Sequence, residues 1–268
     1  MGLAYMKHEN SGLIRNTSDI LLVVALATLP IDGTRLGVTM PYWTPIAPVF
    51  FTLYVLCNLR LFLRSMRRYL GFFLFLPLLV AVSFFGWLTV GFHGMYVFQT
   101  MFALVSGLAC LASLDIAFRL KRLDWNKVVT LVVAVYWIAF VVGVLQWLDS
   151  RYGIGPVTFL FQCLMERNYV PRKTQFLFAE PSYVGMHIFG VLLPLFWITR
   201  RKSLALLVFV FAFGSACMGV GVRILIDTVI ALLLWAVIEI RWNRARNIIA
   251  AFAGIGAIGV SGTLALLR

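Results

Sequence analysis

The sequence predicts an all-α membrane protein, a polytopic bundle of about nine transmembrane helices with its N-terminus in the cytoplasm. Of the 268 residues, 62% are hydrophobic and only 12% are charged. A soluble domain is about half apolar and about one quarter charged. An excess of this size cannot be buried in one water-soluble core, so the outer surface must be apolar as well, and lipid is its natural solvent. The basic residues also cluster between apolar runs, which is typical of membrane topology.

Nine apolar segments are candidates for the transmembrane helices, because crossing the hydrocarbon layer takes roughly 20 predominantly apolar residues. They are residues 18–30, 42–59, 70–92, 95–118, 128–148, 183–199, 203–219, 223–240 and 248–267. The first is short and must recruit flanking residues or tilt less than the others. Gly219, Val220 and Gly221 separate the seventh from the eighth and predict a tight turn between them. With neither an internal repeat nor a low-complexity linker in the sequence, residues 1–268 are predicted to form a single transmembrane domain.

The distribution of basic residues predicts the orientation of these helices. With the N-terminus inside, 16 of the 23 lysines and arginines lie on the cytoplasmic side. Every segment predicted to be cytoplasmic is basic, as the positive-inside rule requires. The formal net charge of +13 is therefore explained by topology, and nucleic acid is not expected as a partner.

The sequence lacks the motifs that are typical of several classes of metal and catalytic sites. The four cysteines are scattered without a CxxC spacing, so no metal site is expected. Neither a phosphate-binding P-loop, a Gly-x-Gly-x-x-Gly fingerprint, a His-Glu-x-x-His pair nor a serine nucleophile elbow is present. We expect neither a metal nor a cofactor, so an enzyme of this kind would depend on an activated substrate that arrives in the membrane.

Residues 149–182 form the one long external loop of the predicted topology. Its apolar middle, residues 157–165, predicts an interfacial helix that lies along the membrane surface. The loop concentrates charged side chains, namely Arg151, Glu166, Arg167, Arg172, Lys173 and Glu180. One interpretation is a solvated loop that touches anionic lipid headgroups. The other is an anion site, because converging arginines present planar, permanently charged forks to phosphate oxygens.

The loop ends in Phe178-Ala179-Glu180-Pro181-Ser182, directly before the sixth predicted helix. Proline followed by serine is ordinary chemistry for a helix start, and a glutamate there complements the helix dipole. Alternatively, Glu180 lies at the mouth of the bundle as a general base.

Four further positions within or near predicted spans carry ionisable side chains. Arg223 and Asp227 stand four residues apart on a predicted helix, so they either pair with each other or face a polar cavity. His187 lies one turn into the sixth predicted helix and could face the same cavity. Asp32 is assigned to the first external turn, at the membrane interface.

The residues of the loop and the helix start resemble those of bacterial O-antigen polymerases and their superfamily, which includes the O-antigen ligases. In these proteins an arginine-bearing periplasmic loop, here carrying Arg167-Asn168 and Arg172, leads into a Phe-x-Glu-Pro-Ser helix start, here residues 178–182. A later Ser-Arg-Gly/Thr stretch is also common there. Gly221-Val222-Arg223-Ile224 keeps the arginine of that stretch and differs at its neighbours.

The resemblance implies a metal-independent glycosyltransferase of the bacterial inner membrane. Such an enzyme transfers sugar chains from an undecaprenyl-diphosphate-linked oligosaccharide at the periplasmic face, with membrane lipid and a chain-length regulator as further partners. It implies catalytic roles for Glu180, Arg172 and Arg223. Substrate-binding roles fall to Arg167, Lys173, Ser182, His187 and Asp227. Family members are longer, which predicts that this chain is an N-terminal portion or a short complete protein.

Two other functions are compatible with the sequence. The first is a transporter, or a protein that flips a lipid-linked sugar, with Glu180, Arg223 and Asp227 along its path. The second is a non-catalytic subunit of a polysaccharide assembly complex.

Overall fold

The structure is a computed structural model that describes Ile14, Ile224 and residues 16–32, 46–92, 94–153, 174–220 and 226–231. Every regular element in these ranges is helical, which confirms the all-α class. The helices are α1 (Thr17–Ala27), α2 (Ile46–Cys57), α3 (Leu59–Arg68), α4 (Leu70–Val90), α5 (Gly94–Asp115), α6 (Trp125–Tyr152), α7 (Tyr183–His187), α8 (Leu193–Thr199) and α9 (Lys202–Cys217). Two π-helical turns continue α5 and join α7 to α8, over Ile116–Leu120 and Ile188–Leu192.

Three of these helices are long and apolar enough to cross a membrane. They are α4, the stretch Thr100–Leu120 of α5 with its π-helical turn, and α6. Helices α2 and α3 would together count as a fourth membrane-spanning segment if they form one broken span. Their axes meet at 102°. The described helices α1 and α9, and the run Tyr183–Thr199, are apolar but shorter. A membrane protein is therefore supported, while nine spans and a cytoplasmic N-terminus stay predictions.

The ends of the long helices follow from local chemistry. Helix α4 ends at Gly91, whose φ of 95° lies in the left-handed region that favours glycine. Before α6, the Asp124 side chain accepts a hydrogen bond from the Asn126 N–H at 2.9 Å. This bond satisfies one of the amide groups that a helix start leaves without an intrahelical partner.

The chain divides into two compact units. The first contains residues 1–29 and 45–132, and the second contains residues 30–44 and 133–268. The single transmembrane domain expected from the sequence stays a prediction.

In the first unit, α2 packs against both α1 and α5. Phe51 and Tyr54 of α2 are buried, and the Ser113 hydroxyl of α5 donates to the Phe51 carbonyl at 3.1 Å. Helix α4 differs from these helices, because none of its described side chains is buried. That surface is what lipid contact favours in an apolar helix of 21 residues.

One end of the first unit carries a buried ion pair. The Lys121 ammonium lies 2.7 Å from the carboxylate of Asp19 and 5.0 Å from the centre of the Tyr54 ring. It also donates to the Ser18 hydroxyl at 3.0 Å. The start of α1 and the chain after α5 therefore lie at the same end of the unit, as expected for two segments predicted on one side of the membrane.

Helix α3 is an element that the sequence analysis did not predict. Residues 60–69 were expected only to connect the second and third spans, yet residues 59–68 form a regular helix. Its residue Phe62 packs edge-to-face on Phe73 of α4, with ring centres 5.6 Å apart.

The second unit is built around an aromatic core. Tyr136 and Phe140 of α6, Phe211 of α9, and Phe176 and Phe178 of the segment before α7 contact one another with ring centres 5.2–6.3 Å apart. This core holds the segment 174–182, which joins the long predicted loop to α7, against the C-terminal part of α6.

Candidate functional site

Gln146 of α6 fixes the start of the segment 174–182. Its side-chain nitrogen donates to the Phe176 carbonyl at 2.7 Å. Its side-chain oxygen accepts from the N–H groups of Gln175 at 3.1 Å and of Phe176 at 2.8 Å. Gln146 is almost fully buried, so its side-chain amide has lost its contacts with water. The three hydrogen bonds replace the bonds to water that the side chain and its backbone partners would make in the unfolded chain. The segment is therefore held against a membrane-length helix.

Phe176 is held in an unusual conformation at this contact. Its φ of 60° lies in the left-handed region that few residues other than glycine adopt. Its ring occupies the space beside Gly143, where a Cβ atom on residue 143 would lie 2.1 Å from a ring carbon. A glycine at position 143 is therefore a requirement of this packing.

Three polar side chains form a hydrogen-bonded chain beyond this contact. The Asp32 carboxylate lies 3.1 Å from Nε2 of His187, and the Tyr136 hydroxyl lies 2.7 Å from Nδ1 of the same ring. If the imidazole is neutral, its one proton lies on Nε2, because the Asp32 carboxylate can only accept a hydrogen bond. Nδ1 then accepts from the Tyr136 hydroxyl. The tautomer is assigned from this hydrogen-bond network. The two partners thus fix both the orientation and the tautomer of His187.

Asp32 and His187 also hold the backbone that leads to Glu180. The second carboxylate oxygen of Asp32 accepts from the Ala179 N–H at 2.6 Å, and the Asp32 N–H donates to the Leu177 carbonyl at 3.3 Å. The ring of Phe178 stacks on the His187 ring, with centres 4.3 Å apart. Each of the three consecutive residues 177, 178 and 179 is therefore held by a contact with Asp32 or His187.

This polar chain lies far from the ends of α6. Tyr136 is followed by 16 further residues of the helix, which ends at Tyr152. At about 1.5 Å per residue this places Tyr136 about 24 Å from that end. Ionisable groups that hydrogen-bond to one another along an apolar helix of this length are functional-site candidates by default.

Glu180 and Ser182 lie where α7 begins. The Ser182 hydroxyl donates to the Glu180 carboxylate at 3.3 Å. The backbone N–H of Tyr183 donates to the Glu180 carbonyl at 3.0 Å, and that of Val184 donates to the Pro181 carbonyl at 3.3 Å. Glu180 is partly exposed.

Asp227 lies against the same short helix. A Cβ atom on Gly185 would be 2.6 Å from its carboxylate, so the absence of a side chain at position 185 makes room for Asp227. Glu180, His187 and Asp227 therefore all lie at or beside α7, and the cavity predicted for His187 and Asp227 stays a prediction.

The remaining predicted site residues lie outside the described part of the chain. They are Arg167, Arg172, Lys173 and Arg223, together with the predicted interfacial helix over residues 157–165. Their roles stay predictions.

Tyr136, Gln146 and Gln175 were not predicted as site residues from the sequence, and Asp32 was placed at the membrane interface without a partner. A signal existed for Gln146, because it is a lone amide in a long apolar run, where a polar side chain needs a partner. The pairing of Asp32 with His187 joins residues 155 positions apart. No local pattern shows such a pairing.

No protein-family model, curated protein or solved structure matches this chain. What the site can do is therefore argued from its own geometry.

Proposed function

We propose that this protein is a membrane glycosyltransferase that extends or transfers oligosaccharide chains carried on a lipid diphosphate. It would act at the outer face of the bacterial inner membrane, in the manner of the O-antigen polymerases and ligases that its helix start resembles. Two properties of the chain support the proposal. Its long helices are apolar enough for a membrane, and it presents a carboxylate at the start of a helix beside a partly buried hydrogen-bonded chain.

The reaction assigned to the site is a displacement at the anomeric carbon of the donor sugar. The hydroxyl oxygen of the acceptor sugar forms a bond to that carbon, and its proton passes to the carboxylate of Glu180. The bond from the anomeric carbon to the lipid diphosphate breaks, and the electron pair leaves with the diphosphate. A positioned base of this kind typically contributes a factor of about 10² to 10⁴ in rate.

The leaving diphosphate needs cations, which the loop before the site and the start of the eighth predicted helix can supply. Arg167, Arg172 and Arg223 are the proposed ligands, helped by Lys173. Because arginine stays protonated and can bind two phosphate oxygens at once, it stabilises the charge that develops as the bond breaks. This part of the proposal rests on the sequence.

The observation that carries the proposal is the pair of contacts that fixes the residues before Glu180. Asp32 accepts from the Ala179 amide, and His187 supports the Phe178 ring. We assign Asp32 and His187 as positioning residues, because they hold the backbone while their own polar atoms are engaged with each other. Ser182 and Asp227 are assigned to the acceptor sugar, since hydroxyl and carboxylate groups bind sugar hydroxyls.

The test is the length profile of surface polysaccharide in a strain that lacks the chromosomal copy of the gene. The wild-type chain should restore a ladder of lengths on a gel. Glu180→Gln should leave single-repeat product, because an amide cannot take the proton. Asp124→Asn, which removes a carboxylate outside the site, is the matched control and should restore the ladder.

His187→Ala should lower activity in the same assay, and added imidazole should not rescue it, because a positioning role depends on the attached ring. All variants must be present in the membrane in equal amounts. A full ladder from both Glu180→Gln and His187→Ala would disprove the assignment.

One observation favours a transporter as the second candidate. A π-helical turn begins directly after His187, and such turns inside helices are frequent at functional sites. An Asp–His–Tyr chain in a membrane could carry protons that drive the movement of a substrate. Proteoliposomes separate the two candidates, because a transporter moves a labelled lipid-linked sugar across the bilayer without changing its covalent structure.

A further inference from the structure

Helix α3 concentrates positive charge without any acidic residue. Its ten residues, Leu59–Arg68, include Arg60, Arg64, Arg67 and Arg68. All four arginine side chains are exposed. A helix with this composition attracts an anionic partner.

The side chains of α3 divide into three faces at about 100° per residue. Ser65 is buried, and Leu61, Phe62 and Met66 around it are partly buried, so this face packs on the protein. Leu59 and Leu63 form a second face and remain 53% and 51% exposed. The arginines form the third face, next to the two leucines and opposite the buried side.

The axis of α3 is suited to a membrane surface. It is bent by 102° from that of α2, an apolar helix, so a perpendicular α2 would leave α3 nearly parallel to the bilayer plane. Tyr69, directly after α3, donates to the Asp115 carboxylate at 3.4 Å, and Asp115 binds Arg119 through two bonds of 2.7 Å. Helix α3 therefore lies at the end of the first unit that also carries the basic residues after α5.

We propose that α3 is an interfacial helix that binds anionic phospholipids through their phosphate groups. Leu59 and Leu63 insert into the hydrocarbon, and Arg60, Arg64 and Arg67 bind the headgroup phosphates beside them. Two features favour lipid over a soluble acidic partner. The exposed leucines are stabilised in hydrocarbon, and the arginines bind phosphate. Only the bilayer offers hydrocarbon and phosphate side by side.

The proposal does not depend on the enzymatic function. Each basic side chain near an anionic leaflet favours binding by about fivefold, so the three arginines together contribute about 100-fold. This preference should be measurable as retention of anionic over neutral lipid.

The experiment measures lipids bound to the purified full chain by native mass spectrometry, with phosphatidylglycerol and phosphatidylcholine added in turn. The wild type should prefer phosphatidylglycerol. The triple variant R60Q/R64Q/R67Q should lose that preference by about 100-fold. R60K/R64K/R67K keeps the charge and should keep most of the preference, which shows that the fold tolerates changes at these exposed positions.

The matched control is R151Q/R200Q/K202Q, which removes the same charge at exposed positions of the second unit. It should bind phosphatidylglycerol like the wild type. An equal loss in the control would overturn the proposal, because the preference would then follow net charge. Unchanged binding by R60Q/R64Q/R67Q would overturn it as well. Displacement of the lipid by millimolar inorganic phosphate would show a site for free anions, and this too contradicts a lipid site.

Discussion

At the scale of single residues, the two oxygens of Asp32 decide how the candidate site is held. One accepts from the Ala179 amide and the other from the His187 ring. Asp32→Ala leaves both donors without this acceptor, and the loss of each of these partly buried hydrogen bonds costs about 1 kcal/mol. We expect a marked fall in the thermal unfolding midpoint of the purified protein in detergent.

Asp32→Asn is the sharper control for that prediction. Its amide oxygen can still accept from Ala179, and its NH₂ group can donate to His187 if the ring shifts its proton from Nε2 to Nδ1. The Tyr136 hydroxyl can then accept in place of donating. We therefore expect Asp32→Asn to unfold close to the wild-type temperature, and equal midpoints for wild type and Asp32→Ala would contradict the network.

A second prediction at this scale concerns Gly143. Gly143→Ala places a methyl group where the Phe176 ring lies, at 2.1 Å. The ring must move, which breaks the packing of Phe176 and strains the bonds from Gln146; overpacking of this kind typically costs about 1–3 kcal/mol. Limited proteolysis should show faster cleavage near residue 176.

Gly107→Ala is the matched control, because nothing lies within 4 Å of a Cβ at this exposed helical position. It should be neutral or slightly stabilising, since alanine is the better helix former. Equal cleavage of both variants would refute the proposed role of Gly143.

At this scale the sequence can group residues that are close along the chain, and it cannot group residues that are far apart. Glu180, Ser182 and His187 lie within eight residues, so a helix start and one turn of helix are enough to suggest that they act together. Asp32 and Tyr136 join them only through folding, and hydrogen bonds across such separations leave no trace in hydropathy or spacing.

At the scale of elements, the ion pair of Asp19 and Lys121 joins the start of α1 to the chain after α5. Asp19 is fully buried, and the Lys121 side chain is only 10% exposed. Removing one partner leaves an uncompensated buried charge, which costs about 3–5 kcal/mol. Asp19→Leu should therefore lower the unfolding midpoint strongly.

The double variant Asp19→Leu/Lys121→Met tests the cause of that loss. Replacing both charges by apolar side chains of similar size is often neutral, so the double variant should be more stable than Asp19→Leu alone. Arg119→Gln breaks a pair whose arginine is 36% exposed, and should cost about 1 kcal/mol or less. A double variant less stable than the single one would contradict this interpretation.

Hydropathy predicts the apolar helices well and the amphipathic ones poorly. Helix α4 begins at the predicted residue 70, and the run Tyr183–Thr199 has both predicted ends. Helix α3 was missed because its arginines lower the average hydropathy, although they recur every three or four residues and so indicate a helix with one polar face. The π-helical turns have no pattern of their own in the apolar sequence.

At the scale of the whole molecule, the predicted orientation can be tested on a single helix. Helix α6 runs for 28 residues from Trp125 to Tyr152, about 42 Å at 1.5 Å per residue, which is enough to cross a bilayer. Lys127 near its start and Tyr152 at its end are both exposed. The positive-inside rule places Lys127 in the cytoplasm and Tyr152 outside.

The measurement is labelling with a membrane-impermeant maleimide, after the four native cysteines have been replaced by serine. In intact spheroplasts, Tyr152→Cys should react and Lys127→Cys should stay unlabelled until the membrane is opened. The reverse pattern would place the start of α6 outside and, with the four predicted spans before it, the N-terminus as well. Labelling of both positions before opening would mean that α6 does not cross the membrane, because its two ends would then lie on one side. Only the expected pattern puts the end of α6, and with it the loop that carries Arg167 and Arg172, on the face where a lipid-linked sugar would be used.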